Sequence, residues 1–300
     1  MSVVELESQE IALEAPSGLW RDAWFLLRRN PGAIVGFFLV GAFAFVAISA
    51  PWIAPFNPRE QDLSLVAICC PGPSSHHLLG VDSLGRDELS RILFGARFSL
   101  LIGVVAVSVG LSIGILFGAV AGYFGGIVDT VVMRLVDIML SIPGLLLAIG
   151  IVAMLGPGLV QVMVAVGVAN IPIFARLLRG SILAQREADF VLAARAVGVP
   201  RRFILVSHIL PNSISPVIIQ GTLALATAII DVAGLGFLGL GPQDPATPEW
   251  GTMLTDADRY LQSAPFLAIV PGVAIVLSVL GFNLIGDGLR EALDPKLRGR

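Results

Sequence analysis

The most chemically distinctive part of the sequence is the polar segment 187–212, which interrupts an otherwise apolar chain and carries four arginines between Arg186 and Arg202. Charged side chains of a membrane chain must lie outside the hydrocarbon. From Asp189 onward the pattern predicts a short helix, a tight turn at Gly198 and a second short helix. Two short helices joined by a tight turn have the shape of a docking element, so the segment predicts contact with a soluble partner.

The residue types within this segment support that shape. Asp189 complements the N-terminal dipole of the first helix, Gly198 permits a sharp reversal, and Pro200 restarts the chain near a helix N1 position. The small Ala193 and Ala194 let another surface come close. A disordered polar loop is the alternative, and an apolar periodicity argues against it, at Phe190, Ala194 and Val197.

The remaining residues with potential chemistry are few. Cys69, Cys70, His76 and His77 form the one ligand-like cluster, but their spacing matches no zinc signature, and adjacent cysteines can scarcely bridge each other. We therefore expect no metal site. The sequence also contains no phosphate-cradling Gly-x-x-x-x-Gly-Lys-Ser/Thr motif and no nucleophile elbow, so neither ATPase nor hydrolase activity is expected of this chain.

Charges inside apolar runs are candidates for function. Arg134 and Asp137 lie one helical turn apart and are predicted to pair as a gate or structural element. Asp231 lies near the outer end of a predicted span. It has two open interpretations: contact with the amino terminus of a peptide, or a cap for a helix break.

The composition of the chain indicates the class of protein in which these residues lie. Of 300 residues, 56% are hydrophobic and 14% charged. Charge-free runs cover 30–58, 98–128, 138–175, 203–230 and 260–286. Each exceeds the roughly 20 residues that cross a bilayer as a helix, and Gly156-Pro157-Gly158 divides the third. We predict an all-α membrane protein with six transmembrane helices at 33–53, 97–123, 131–155, 159–177, 212–236 and 264–287.

Orientation follows from the basic residues. They precede span one (Arg21, Arg28, Arg29), lie between spans four and five, and follow span six (Arg290, Lys296, Arg298, Arg300). The positive-inside rule makes this side cytoplasmic, so both termini are predicted inside. No cleavable signal peptide is apparent. The predicted organisation is a tail with an interfacial helix at 1–30, a first span at 31–53, an extracytoplasmic segment at 54–96, a core at 97–290 and a tail at 291–300.

The segment 187–212 resembles the cytoplasmic coupling motif of ATP-binding-cassette importer permeases, Glu-Ala-Ala-x-x-x-Gly followed by Ile-x-Leu-Pro. Ala193, Ala194 and Gly198 match its first part, and Leu210 and Pro211 match its second. Further stretches resemble the C-type subunit of the dipeptide/oligopeptide/nickel permease family, at His77–Asp87, Gly234–Gly241, Pro248–Gly251 and Phe282–Lys296. Leu192 stands where the motif has glutamate, and His208 takes the isoleucine position ahead of Ile209. The resemblance therefore implies a contact made by shape, with Arg195, Arg201 and Arg202 as polar contacts. Contact with phospholipid, or a role only in setting topology, is the open alternative for these arginines.

This resemblance implies a type I importer permease fold in the bacterial inner membrane and transport of di- or oligopeptides. It also implies a homologous second permease, two cytoplasmic ATPases that hold ATP and Mg²⁺, and an extracytoplasmic binding protein, with no cofactor on this chain. No basic stripe suggests nucleic acid. Import of nickel or another small solute such as a glutathione-like peptide is the alternative within the family. A stand-alone secondary transporter is the alternative outside it, although inverted repeats are not visible.

Overall fold

The computed structural model describes residues 19–66 and 69–293, so the predicted tails lie outside the described residues at 1–18 and 294–300. The described chain is helical. In order, its elements are α1 (Leu19–Leu27), α2 (Pro31–Ile53), α3 (Leu63–Val66), α4 (Glu88–Phe124), α5 (Gly126–Leu140), α6 (Gly144–Leu155), α7 (Leu159–Arg186), α8 (Asp189–Ala196), α9 (Arg201–Phe203), a π-helix (Ile204–Ile209), α10 (Leu210–Ser213), α11 (Ser215–Phe237), α12 (Trp250–Asp258) and α13 (Phe266–Leu293).

Five of these helices are long and apolar enough to cross a membrane: α2, α4, α7, α11 and α13. The pair α5 and α6 passes the same test together but is bent by 90°. Counted as one broken span, the pair completes the six predicted spans.

The prediction of one continuous span over 131–155 is wrong in its geometry. The helix ends at Leu140 and resumes at Gly144. Between them, Pro143 has extended backbone angles, φ −52° and ψ 134°. Proline has no N–H to donate, and it disfavours helical angles at the residue before it. Pro143 therefore divides this span into two arms.

Other helices extend beyond their predicted spans, most clearly α4, α7 and α13. The second span was expected to begin at 97, but α4 begins at Glu88, where the Asp87 side chain caps it by accepting from Ser90 N at 2.8 Å. The fourth was expected to end at 177, but α7 continues to Arg186. Charged residues limit the hydrocarbon portion of a helix and do not end the helix itself.

The glycines of α4 form the closest helix contact. A methyl group at Gly110 would come within 2.7 Å of Gly167 O, and one at Gly114 within 2.5 Å of Phe174 Cβ. Gly118 likewise faces the α7 backbone, at Ala175 O. Small residues allow such close approach in membrane bundles. These glycines therefore pack against α7 within the chain.

The N-terminal helices attach to α13. A methyl group at Gly36 of α2 would meet Gly281 O at 2.8 Å, and Asn30 caps α2 by accepting from Ala33 N at 3.0 Å. In α1, Trp24 is exposed and the Arg28 guanidinium lies 4.5 Å from its ring centroid. Exposed tryptophan and arginine on one short helix suit the predicted position at the headgroup interface.

Candidate coupling site

The polar segment between α7 and α11 folds as the sequence predicts, as short helices joined by a tight turn. Asp189 is the first residue of α8. Gly198 has φ +80°, a left-handed conformation that glycine adopts without steric cost. Pro200 precedes α9 with φ −58° and ψ 138°. The chain therefore reverses direction within a few residues and presents two short helices together.

One face of this segment is buried against the transmembrane core. Val191 and Ala194 of α8, with Ile204 and Ile209 of the π-helix, belong to the same hydrophobic cluster as Ile182 of α7. Ala194 is only 7% exposed. The free surface predicted for Ala194 is therefore wrong, because this residue packs inward. The burial therefore packs the segment against the end of α7.

The opposite face is exposed and mostly apolar. Ala193 is exposed, and Leu192 and Val197 are 46% and 80% exposed. Three exposed arginines lie around them: Arg195, Arg201 and Arg202. The Arg202 guanidinium lies 5.6 Å from the Phe203 ring centroid. An exposed apolar patch with a polar, cationic rim has the composition of a protein interface.

The Ile-Leu-Pro end of the motif explains the π-helix. Pro211 has no N–H, and in an α-helix its ring would clash with the carbonyl four residues earlier. Widening the preceding turn, Ile204–Ile209, relieves this conflict. Ile209 is fully buried, Leu210 is half-buried and Pro211 is exposed. The motif residues thus set the angle at which the segment returns to α11.

Two ion pairs link α7 to α5. Arg179 Nε and Nη2 donate to the two carboxylate oxygens of Asp129, at 2.5 and 2.6 Å. Arg176 pairs with Asp137. The predicted pair between Arg134 and Asp137 is wrong, because Asp137 is taken by α7 across the helix interface. An i,i+3 pair contributes only about 0.2–0.5 kcal/mol, too little to override interhelical geometry. The sequence reasoning missed Arg176 and Arg179.

Asp231 lies within α11, which continues without interruption to Phe237. A role as the cap of a helix break is therefore wrong. Asp231 is half-buried and makes no hydrogen bond or ion pair within the described residues. Gly234, one turn further on, faces Leu145 of α6, to which an added methyl group would come within 4.0 Å. Asp231 thus lies one turn from Gly234, where α11 faces α6, the helix that follows the 90° bend.

A buried ionic cluster holds the outer segments, and the sequence reasoning missed it. Arg86 is 1% exposed. Its Nε donates to Asp82 Oδ2 at 2.6 Å, its Nη1 donates to the Pro245 carbonyl, and its Nη2 lies 3.6 Å from Asp256 Oδ2. Arg91 Nε lies 3.4 Å from the same Asp82 oxygen. These contacts tie the loop before α4 to the loop around α12.

Glu249 anchors α12 in the same region. Its carboxylate accepts from Gly251 N at 2.8 Å and Thr252 N at 2.9 Å, which caps the helix. Burial raises the pKa of this carboxyl above its ordinary value, against the opposing effect of these hydrogen bonds. Glu249 belongs to the Pro-Glu-Trp-Gly stretch, so its position in a motif was the only sequence signal for this role.

In the segment before α4, the adjacent residues Cys69 and Cys70 have their sulfur atoms side by side. Both residues have positive φ, 37° and 60°, which reverses the chain at each. His77 Nδ1 lies 2.9 Å from Asp87 Oδ1, and its ring packs against Phe56. Among the described residues no group of three or more His, Cys, Asp or Glu is arranged to hold a metal ion.

Comparisons with known proteins identify two family matches. Residues 114–299 match the binding-protein-dependent transport system inner membrane component family. Residues 18–68 match the N-terminal transmembrane domain of oligopeptide transport permease C. The first match includes the polar segment 187–212, and the second includes α1 and α2.

Curated relatives are similar along nearly the whole chain. The dipeptide transport system permease protein DppC of Alkalihalophilus pseudofirmus is 47% identical over 93% of this chain and 90% of its own. The protein of that name from Escherichia coli K12 is 46% identical over 97% of this chain and 98% of its own. The glutathione transport system permease protein GsiD of Escherichia coli O6:K15:H31 is 46% identical over 93% of this chain and 91% of its own.

Among solved structures, the inward-facing MetNI methionine ABC transporter contains a chain that superposes with a TM-score of 0.56. The match covers 68% of this chain and 96% of that chain, at 21% identity. At this identity the likeness concerns the fold, and the fold is that of an ABC importer permease.

Proposed function

We propose that this chain, which belongs to the family of binding-protein-dependent inner-membrane transport components, is the permease subunit of an ATP-driven importer of di- and oligopeptides. The observation that carries the proposal is its 46% identity to a dipeptide permease over 97% of this chain. The fold of six spans with a polar segment between α7 and α11 agrees with it. The chain itself performs no chemical conversion, and ATP with Mg²⁺ is bound by partner ATPases.

In the proposed mechanism, energy enters through the exposed face of the segment 187–211. A groove on each ATPase holds one such segment, and the exposed apolar Leu192 and Val197 provide contact area. Leu192 takes the position where the motif has glutamate, so shape rather than a salt bridge supports docking there. Arg195, Arg201 and Arg202 form a cationic rim that steers association with an acidic surface.

Motion then passes to the translocation path through α7. Because Val191 and Ile209 pack against the end of α7, a displaced segment carries that helix with it. The ion pairs from Arg176 and Arg179 pass the displacement to α5. The α5 arm ends at the 90° bend, so a shift there changes the direction of α6. Coupling through discrete packed elements of this kind is how importers relay motion.

Asp231 is the proposed contact for the amino terminus of a peptide in the path. Its carboxylate has no partner in the described residues, and an intramembrane acid without one is expensive to retain. A peptide ammonium would provide the missing charge. Asp231→Asn should therefore lower uptake of a free dipeptide more than uptake of its N-acetylated form. Equal losses for the two substrates would argue against this contact.

The proposed assembly contains this chain, a homologous second permease, two ATPases and an extracytoplasmic peptide-binding protein. The segments 54–96 and 237–263 form the surface on which the binding protein docks. The ionic cluster around Arg86 supports that assignment, since it makes this surface a rigid platform.

The test is ATPase assembly after a bulky substitution on the exposed face. Ala193→Trp keeps the buried face intact and should reduce both ATPase copurification and peptide uptake by at least about tenfold, because a large side chain prevents close fit. Ala42→Trp, at an exposed position of α2, is the matched control and should leave both unchanged. Unaltered assembly and uptake in Ala193→Trp would overturn the coupling role.

A glutathione importer is the second candidate, favoured by the 46% identity to a glutathione permease. Glutathione is itself a peptide, so the two candidates differ in substrate within one class. Uptake of labelled dialanine and labelled glutathione by the complete transporter, each competed with the other, would separate them.

A further inference from the structure

We propose that a cleft at the outer membrane boundary, between the end of α2 and the beginning of α4, binds an anionic phospholipid. The cleft has a volume of about 770 Å³. Arg59 and Arg97 line it together with apolar residues that include Phe94, Phe98 and Leu101. A phosphate headgroup with an attached acyl chain requires this combination of charge and apolar surface.

The two arginines lie at the depth of lipid headgroups. Residues 30–58 carry no charge, so Arg59 is the first charged residue after the first span. Residues 98–124 also carry none, so Arg97 is the last charged residue before the second span. Each guanidinium is therefore placed at the outer edge of the hydrocarbon. Exposed Trp52, at 79%, marks the same level on α2.

One face of α4 supplies both the charge and the acyl-chain surface. Phe94, Arg97, Phe98 and Leu101 follow an i, i+3, i+4, i+7 pattern and so share a helix face. Leu101 is the deepest of the four and is 52% exposed. An acyl chain that follows this face passes from the headgroup at Arg97 into the hydrocarbon beside Leu101.

The charges in the cleft favour an anion. Both Arg59 and Arg97 are exposed, and within the described residues neither forms an ion pair. Glu60 also borders the cleft, which leaves one net positive charge. By contrast, the described arginines around the buried cluster at Arg86 are matched by carboxylates. Arg59 and Arg97 are therefore unmatched cations that lie where lipid phosphates are available.

The cleft depends on the N-terminal span, since Pro51, Ala54 and Pro55 form its other wall. The region 18–68 matches a distinct N-terminal transmembrane domain. The proposal thus gives that domain a function of its own, which is to hold a phospholipid against α4. It is independent of which solute the transporter carries.

The experiment uses the complete transporter in nanodiscs of phosphatidylcholine with photoactivatable phosphatidylglycerol as the probe. The crosslink at 94–101 should exceed that from the matching photoactivatable phosphatidylcholine. The double variant Arg59→Gln, Arg97→Gln should lower it by at least about fivefold, as each basic residue near an anionic surface contributes about that factor. Arg97→Lys should retain most of it, because lysine still binds phosphate as a point charge.

Arg259→Gln is the matched control, since Arg259 is exposed in the other outer segment and does not border the cleft. It should leave the crosslink unchanged. Equal labelling by the two lipid probes, or labelling indifferent to the double variant, would overturn the proposal. So would competition by inorganic phosphate or by a transported dipeptide, because the occupant would then be a free anion or the substrate. Absence of any label at 94–101 would indicate that protein covers the cleft and would also overturn it.

Discussion

Arg179 of α7 holds Asp129 of α5 through two parallel hydrogen bonds, Nε to Oδ1 at 2.5 Å and Nη2 to Oδ2 at 2.6 Å. This bidentate geometry fixes orientation as well as distance. The pair joins the helix that carries the coupling segment to the arm that precedes the 90° bend. In the mechanism proposed above, it is the contact through which movement of the segment reaches the translocation path.

We predict that Arg179→Gln uncouples the transporter. Loss of the bidentate pair should lower peptide uptake per ATP hydrolysed by about threefold to tenfold, since charge-assisted hydrogen bonds contribute about 1.5–3 kcal/mol before solvent screening. Asp129→Asn should have a similar effect, and the double variant should be no worse than either single variant. The measurement is uptake and ATPase rate in the same proteoliposomes.

Arg134→Gln serves as the control for this prediction. Arg134 is exposed on α5, the helix that carries Asp129, and has no ion pair within the described residues. Its coupling ratio should equal that of the unaltered protein. Additive losses in the double variant would mean that the two residues act separately, which contradicts the proposed relay.

A second prediction concerns the turn at Gly198. Its φ of +80° is costly for a residue with a side chain, while an added methyl group would meet no atom within 4 Å. Gly198→Ala should therefore destabilise the turn by about 1–2 kcal/mol through backbone strain alone. We expect about fivefold to thirtyfold weaker ATPase binding in a titration with purified ATPase.

Gly180→Ala provides the comparison, since Gly180 lies within α7 and an added methyl group there also meets no atom within 4 Å. Its backbone is helical, so alanine should be tolerated. If both variants bound the ATPase with unaltered affinity, the left-handed turn would have no part in docking.

Much of the structure of segment 187–212 could be predicted from the sequence, because the residues that determine it act locally. A glycine at a reversal, an aspartate at a helix start and a proline after a turn each act within a few residues. The ion pairs of Arg176 and Arg179 were missed because they depend on how α7 packs against α5, which no local pattern encodes. The prediction of an Arg134–Asp137 pair failed for the same reason, as spacing along one helix was taken for contact.

The same difference between local signals and contacts of distant residues applies to the fold. Apolar runs predicted the spans, since crossing a bilayer imposes a length on each helix. They could not predict the 90° bend, because a proline in a span is compatible with a mild kink as well as a break. The ionic cluster around Arg86 was also not predictable, since it joins residues from two outer segments that are distant in sequence.

A third prediction concerns pH. Burial raises the pKa of Glu249, so the folded protein binds this proton more tightly than the unfolded chain does. Stability then falls as pH rises from the ordinary glutamate pKa toward the raised value. Glu249→Gln removes this titration. The thermal stability of the unaltered protein relative to the variant should therefore decrease as the pH rises above about 4.3, the ordinary glutamate pKa.

The measurement is thermal unfolding of both proteins in the same detergent at several pH values. Gln262→Ala, at an exposed position of the same outer segment, is the control; it removes no titratable group and should show no pH-dependent difference. A relative stability that stayed constant or increased with pH would show that the hydrogen bonds from Gly251 and Thr252 outweigh burial.

The last prediction compares two helix glycines of opposite surroundings. An added methyl group at Gly114 would lie 2.5 Å from Phe174 Cβ and 2.9 Å from Ile171 O, whereas one at Gly150 of α6 meets nothing within 4 Å. Gly114→Ala must therefore push α4 away from α7, which costs about 1–3 kcal/mol by overpacking. Gly150→Ala should be neutral or stabilising by up to about 1 kcal/mol, because alanine loses less backbone entropy in a helix. Thermal unfolding of both variants in one detergent checks the difference. Equal stabilities would mean that α4 and α7 do not pack as closely as these positions require.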